Sequence, residues 1–214
     1  MTITLYNFPS CGPCRAVQMT AAHLGIDLIK KNVDLVKGEQ MKSEFLKINP
    51  QHTVPTIEDD GFYLSESRAI LAYLINKYAP GSPLYPSDPK ERAAVDKMLY
   101  FDNGTFSKTL SEYTNPIVRG EKPDPEKEEN LKKSLSILES ALKNSAYVAG
   151  NHITVADYSI VSNMVYAEEV AGYSFHEFPM VSAWLEKMKK EIPNYKEINE
   201  IPIKEFKNFL KSRK

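Results

Sequence analysis

One hydroxyl and two thiols stand within five residues of each other in Pro9-Ser10-Cys11-Gly12-Pro13-Cys14-Arg15. Before this stretch lies a short apolar run, Ile3-Thr4-Leu5-Tyr6, and after it Val17, Ala21 and Leu24 recur at helical spacing. It therefore reads as a strand, a tight turn and the first turn of a helix. The open N–H groups and positive dipole end of such a helix stabilise a sulfur anion. Pro13 suits that first turn, because its fixed φ is helical and its missing N–H has no partner to lose there.

Two further segments carry groups able to hold a ligand. In Asn49-Pro50-Gln51-His52-Thr53-Val54-Pro55-Thr56, Pro55 opens an apolar strand and keeps Val54 extended, with its N–H and C=O free for an incoming chain. A cis bond at Pro55 makes that edge a docking strand for a peptide-like ligand, and an ordinary loop proline is the alternative. His52 can meet a carboxylate or simply be exposed. In Leu64-Ser65-Glu66-Ser67-Arg68, hydroxyl, backbone N–H and carboxylate meet at a helix start. That set holds the carboxylate and ammonium of an amino acid, although Ser and Glu are also ordinary capping residues.

The elements that must position these groups alternate in type. Strands are expected at 3–7, 27–33, 55–58 and 62–65, and helices at 13–24, around 41–47 and over 67–78. Asp59-Asp60-Gly61 reads as the turn of an antiparallel hairpin. Residues 1–80 thus form an α/β layer with a mixed sheet. Pro80, Pro83, Pro86 and Pro89 exclude regular structure and mark 81–88 as a linker, ordered because Leu84 and Tyr85 can pack into a seam. From 89 to 214 the pattern is helical. A run over 90–118 carries Val95, Met98, Leu99, Asp102 and Phe106 on one stripe, and an antiparallel neighbour follows over 126–144. Thr154 and Asp157 form a capping box opening the most buried helix of this half. Helices over 179–191 and 202–213 complete it, the last ending in Lys211-Ser212-Arg213-Lys214.

Composition narrows the partners. The 27 basic and 28 acidic residues give a net charge of −1, which offers no field to attract nucleic acid or an anionic membrane. No run approaches the roughly 18 apolar residues of a membrane span, and the N-terminus turns polar by Asn7, so a cytoplasmic protein is expected. In reducing cytosol the two cysteines are thiols, and any bond between them is transient and functional. His23, His52, His152 and His176 lack ligand spacing, so no metal is expected, and no phosphate-binding loop occurs.

The chain resembles the cytosolic glutathione transferases, most of all the insect delta and epsilon classes. The resemblance is carried by PSCGPCRAVQMTAA, KGEQMKSEFLKINPQHTVPTI, ESRAILAYL, PLYPSDP, MLYFDNGTF and ITVADY. It implies a thioredoxin-like N-terminal domain that binds glutathione, an all-helical C-terminal domain carrying the hydrophobic substrate site, and a homodimer. The implied activity is conjugation of the glutathione thiolate to small hydrophobic electrophiles, a detoxification reaction.

Position by position, the resemblance assigns the γ-glutamyl end of glutathione to Glu66 and Ser67, with Arg68 at the border. The cysteinyl backbone pairs with Val54, between Thr53 and a cis Pro55, and the glycyl carboxylate meets His52. Gln40 stands where the delta class usually has a second histidine. The electrophile pocket is expected between the domains, lined by Phe106, Tyr113 and Ile117 and closed by Phe206 or Phe209, with core or dimer packing as the alternative for each. Asn103 replaces a methionine often found in that wall.

The departure lies at the catalytic turn. Four residues before Arg15, where the delta and epsilon pattern has its catalytic serine, stands Cys11, and the serine is displaced to Ser10. In the leading reading Ser10 turns inward and donates to the glutathione sulfur, lowering its pKa for conjugation. In the second, Cys11 reacts itself, giving thiol transfer or dehydroascorbate reduction, with Cys14 a buried packing residue. A third reading is a non-catalytic carrier of hydrophobic ligands.

Overall fold

The computed structural model describes residues 2–213; Lys214 of the basic tail lies outside it. The alternation expected at the N-terminus is present as β1 (Ile3–Asn7), α1 (Gly12–Leu24), β2 (Leu28–Asn32), α2 (Ser43–Leu46), β3 (Thr56–Asp59), β4 (Phe62–Ser65) and α3 (Ser67–Tyr78). The sheet order is β2-β1-β3-β4. Strand β1 pairs parallel with β2, Ile3 opposite Leu28, and antiparallel with β3, Tyr6 opposite Thr56. Asp60 and Gly61, both at positive φ, turn β3 into β4, and Asp59 faces Phe62. Two successive left-handed residues are what a two-residue hairpin turn requires, and a glycine takes the second at little cost.

Ile3, Leu5 and Ile57 of the sheet pack on Val17, Ile70 and Leu74 of the helices. The segment expected as one helix around 41–47 is shorter: a 3-10 turn over Glu39–Met41 precedes the single turn of α2. Leu84 is fully buried in the connector and its carbonyl accepts from the Val155 amide, so the proline-rich segment is anchored.

Helices α4 (Pro89–Phe101), α5 (Ser107–Val118), α6 (Pro125–Leu142), α7 (Val155–Glu169), α8 (Pro179–Glu191) and α9 (Ile201–Lys211) follow. The run expected as one α-helix over 90–118 is interrupted by a π-helical turn, Asp102–Phe106. A second π-helical turn, Lys196–Glu200, precedes α9. Helix α7 is buried nearly all round, as a central helix must be. Its capping box is present: the fully buried Asp157 carboxylate accepts from the Thr154 amide at 2.8 Å, and also from Val148 N and Trp184 Nε1 at 3.0 Å each. One carboxylate thereby ties three segments together. Helix α1 lies against both α3 and α7, which explains why it is buried on more than its sheet-facing side.

Candidate active site

The turn between β1 and α1 brings Ser10 and Cys11 to the helix start. Cys11 is the N-cap, in extended conformation, with its own amide turned back to Phe8 O at 2.9 Å. No side chain caps this end and no acid lies in its first turn, so the dipole end is left to whatever sulfur sits there. Cys11 is half-buried, and its Sγ lies 3.8 Å from the Val54 carbonyl oxygen. Ser10 is buried beside it.

The thiol and amide of Cys14 pull the Cys11 pKa below the ordinary thiol value against the opposing effect of burial, and the positive charges of Arg15 and Arg68 add to the pull. Cys14, fully buried, is pushed well above that value. Arg15 is itself wholly buried. Its guanidinium donates to Asn199 Oδ1 and to the Ser162 carbonyl, both at 2.6 Å, and burial lowers its pKa to about 10, so it stays cationic at neutral pH. A buried positive charge behind the turn favours the Cys11 anion.

The Val54–Pro55 segment stands opposite. The Val54–Pro55 bond is cis, Val54 is half-buried, and His52 is exposed at φ 48°. Asn49 holds the loop: its Nδ2 donates to Thr53 O at 3.0 Å and to the Thr53 and Thr56 hydroxyls at 3.1 Å each. Gln51 Oε1 accepts from Ser65 at 3.3 Å, joining this loop to the third segment. There Glu66 is exposed at φ 68°, a sparsely populated region for a residue with a side chain, and Ser67 is buried at the start of α3. His52, Thr53, Val54, Pro55, Glu66, Ser67 and Arg68 thus lie on two linked segments beside the Cys11 turn. Gln40 is half-buried in the 3-10 turn after β2, with Oε1 unpartnered among the described residues.

Arg68 faces the second half of the molecule. It donates to Asp102 Oδ2 at 2.5 Å from Nη2 and at 3.1 Å from Nε, and also to the Ser67 and Ser107 hydroxyls. Asp102, fully buried, also accepts from Ser107 at 2.6 Å and Ser159 at 2.5 Å, while Asn163 Nδ2 donates to the Ser107 oxygen at 2.9 Å. Sequence reasoning placed Asp102 on a core stripe and missed it as the hub of this network. An acid on an otherwise apolar stripe was the available signal.

Between the halves lies a cleft of about 430 Å³, lined by Phe8, Ser10, Cys11, Gly12 and Pro13 on one side and by Ser107, Leu110, Ser111, Thr114, Asn115, Asn163, Tyr166 and Phe206 on the other. An adjoining recess of about 360 Å³ shares Phe8, Ser10 and Phe206 with it and continues to Val33, Val36 and Phe209. Gly12 touches the far wall so closely that a Cβ there would lie 2.4 Å from Asn163 Oδ1.

Of the expected electrophile-pocket residues, Phe206 and Phe209 line these cavities. Phe106, Tyr113, Ile117 and Asn103 do not. Phe106 is fully buried and stacked on Phe101, and Tyr113 is buried edge-on to Tyr173 with ring centroids 5.4 Å apart. Ile117 packs on the core, and Asn103 is exposed. The apolar stripe faces the interior of the helical half, and the adjacent, more polar face of α5 forms the cleft wall. That wall's polarity comes from Ser107, Ser111, Thr114 and Asn115 instead of Asn103.

Among the described residues no group of three or more His, Cys, Asp or Glu could hold a metal ion, and no helix is long and apolar enough to cross a membrane.

Comparison with known proteins bears on this geometry. The family model described as glutathione S-transferase, N-terminal domain, matches residues 5–83, and that for the C-terminal domain matches 101–191. A delta-class glutathione transferase of Nilaparvata lugens is 40% identical with a TM-score of 0.92, the match covering 99% of this chain and 100% of that one. A Bombyx mori glutathione transferase solved in complex with GTT is 39% identical, with 98% of each chain covered and a TM-score of 0.92. An epsilon-class glutathione S-transferase of the housefly, Musca domestica, is 37% identical, covering 98% and 97%, with a TM-score of 0.88.

Proposed function

Because the chain belongs to the glutathione S-transferase family and is a glutathione transferase with glutathione as co-substrate, we propose that Cys11, and not Ser10, is the residue set against the glutathione sulfur. The observation that carries this is the 3.8 Å approach of Cys11 Sγ to the Val54 carbonyl, which puts the N-cap thiol at the docking strand. Glutathione lies with its cysteinyl backbone on Val54, its glycyl carboxylate toward His52 and Gln40, and its γ-glutamyl end on Glu66 and Ser67, bordered by Arg68 and flanked by Thr53 and Pro55. Residues 1–80 are the glutathione-binding domain, 81–88 the linker and 89–214 the helical domain.

Two sulfurs a few ångströms apart cannot both ionise readily, so Cys11 and glutathione share one proton. In conjugation Cys11 keeps the proton as a donor, and the glutathione thiolate, held at the dipole end of α1, attacks an electrophile in the cleft. Phe8, Leu110, Tyr166 and Phe206 favour small hydrophobic electrophiles, and the serines and Thr114 admit ones with a polar substituent. A second reading, thiol transfer through Cys11 itself, is favoured by its lowered pKa.

The physiological role in this reading is detoxification in the cytoplasm, which suits two unpaired thiols. The assembly is a homodimer, supported by apolar side chains left exposed at Phe62, Tyr63 and Tyr100. Light scattering of the purified protein tests it.

The test of the site is conjugation of an aryl halide and reduction of a glutathione mixed disulfide by Ser10→Ala and Cys11→Ala. Loss of the Cys11 donor is expected to lower conjugation about tenfold, the worth of one hydrogen bond to a charged sulfur, and to abolish disulfide reduction. Ser10→Ala should retain both. Conjugation that collapses in Ser10→Ala and survives in Cys11→Ala contradicts the assignment.

A further inference from the structure

The proposed function uses Cys11 and leaves Cys14 without a role. Both stand on the first turn of α1, three residues apart. Cys11 is the N-cap, half-buried at the cleft, and Cys14, at the third helical position, is fully buried behind it. An N-cap side chain is built to reach the third position of its helix, where it ordinarily meets the backbone N–H. Here the residue at that third position carries a second thiol.

We propose that Cys11 and Cys14 form a reversible internal disulfide, making the turn a two-thiol centre that reduces glutathione mixed disulfides. The inference rests on the reading that glutathione meets Cys11. The Cys11 thiolate attacks the glutathionyl sulfur of R–S–S–G, the S–S bond breaks, and R–S⁻ leaves and takes a proton from water. Cys14 then gives its proton to water, and its thiolate attacks the Cys11 sulfur. Glutathione leaves as a thiolate, and the internal disulfide holds the two electrons' worth of oxidation removed from R–S–S–G. One glutathione reopens the bond at Cys11, Cys14 departing and taking a proton. A second glutathione attacks the glutathionyl sulfur on Cys11, which returns to thiolate as glutathione disulfide is released.

Burial decides the direction of each attack. An outside thiol reaches the cleft-lining Cys11 and not Cys14, so opening and closing both pass through the Cys11 sulfur. Arg15, buried beside the pair and cationic, stabilises the single negative charge that either sulfur carries in turn. Between turnovers the lowered Cys11 and raised Cys14 keep that charge on the accessible sulfur.

The experiment is intact-mass analysis of the reduced protein after incubation with glutathione disulfide and acid quenching. Wild type is expected to lose the mass of two hydrogens and to show no free thiol when titrated unfolded. Cys14→Ala should instead accumulate one glutathionyl group on Cys11, and Cys11→Ala should remain unmodified. Wild type that stops at a stable glutathionyl adduct overturns the two-thiol inference and leaves the Cys11 reading standing. Wild type that stays fully reduced while still conjugating glutathione overturns the two-thiol inference and, with it, the thiol-transfer reading of Cys11. Because the wild-type mass alone separates these results, the test survives even if a Cys14 variant fails to fold.

Discussion

The two walls of the cleft are built by different means. One wall is a chain turn, Phe8 to Pro13 with the N-cap at Cys11, whose Sγ meets the Val54 carbonyl beside the cis Pro55. The opposite wall is one face of α5, a piece of α7 and the Phe206 ring of α9, brought together from positions far apart in sequence. Local turns commit backbone donors and acceptors to fixed places, which suits a ligand held by its own peptide groups. A helix face supplies side chains whose outlook depends on the phase of the whole helix, which suits a pocket that discriminates by shape and polarity.

The difference can be tested by cutting what joins the walls. Asp102 is the strongest link, since Arg68 on one side and Ser107 and Ser159 on the other share its carboxylate. Asp102→Ala leaves Arg68 unpaired in a mostly buried place and is expected to cost about 3 kcal/mol in urea unfolding, with a raised KM for glutathione. Weakened stability with unchanged glutathione KM would mean that the network holds the fold but not the ligand.

The next effect is steric. Gly12→Ala drives a methyl group into Asn163 Oδ1 and is expected to cost about 1–3 kcal/mol. Adding Asn163→Ala should recover about 1 kcal/mol of it, a coupling that denaturant unfolding of the double variant reads directly. Independent, additive losses would show that the walls do not touch there.

Phe206→Ala separates the walls by function. It removes the ring shared by both cavities and should raise the KM for an apolar electrophile about tenfold, close to 1.4 kcal/mol, while the glutathione KM stays within about twofold. Equal effects on both substrates would place glutathione nearer α9 than proposed.

The smallest effect is confined to the first wall. Alkylation needs the thiolate, so a Cys11 pKa held below the ordinary value moves the rising limb of its rate profile to lower pH. Cys14→Ala takes away a donor to that anion and should move the limb back up. Mass-spectrometric rates of iodoacetamide labelling from weakly acid to alkaline pH measure it, and an unshifted limb excludes Cys14 as the cause.

The same contrast explains which features are legible in the sequence. The Asp60-Gly61 hairpin, the Thr154–Asp157 box and the β1–turn–α1 unit were legible because each is specified by neighbours in the chain. The cleft wall was not. An aromatic stripe through Phe106 and Tyr113 was the natural candidate, yet apolar side chains at helical spacing bury themselves first, and the wall was left to the next face round, Ser107, Ser111 and Thr114. The π-helical turn at Asp102–Phe106 compounds this. One extra residue in a turn rotates the rest of the helix by about 100°, so a 3.6-residue pattern carried from α4 across it does not describe the faces of α5. Arg68 and Asp102, 34 residues apart, gave no local sign of being partners. The turn before α1 was legible in the sequence, but whether Ser10 or Cys11 meets the Val54 segment was not, because that depends on where the chain before β3 lies.

The central claim is that the glutathione sulfur rests on the first turn of α1 against Cys11. A crystal structure of the protein with glutathione tests it most directly. The expected result is the cysteinyl backbone paired with the Val54 N–H and C=O, and the sulfur in contact with Cys11 Sγ. A sulfur hydrogen-bonded to the Ser10 hydroxyl, or a tripeptide lying away from Val54, contradicts the account.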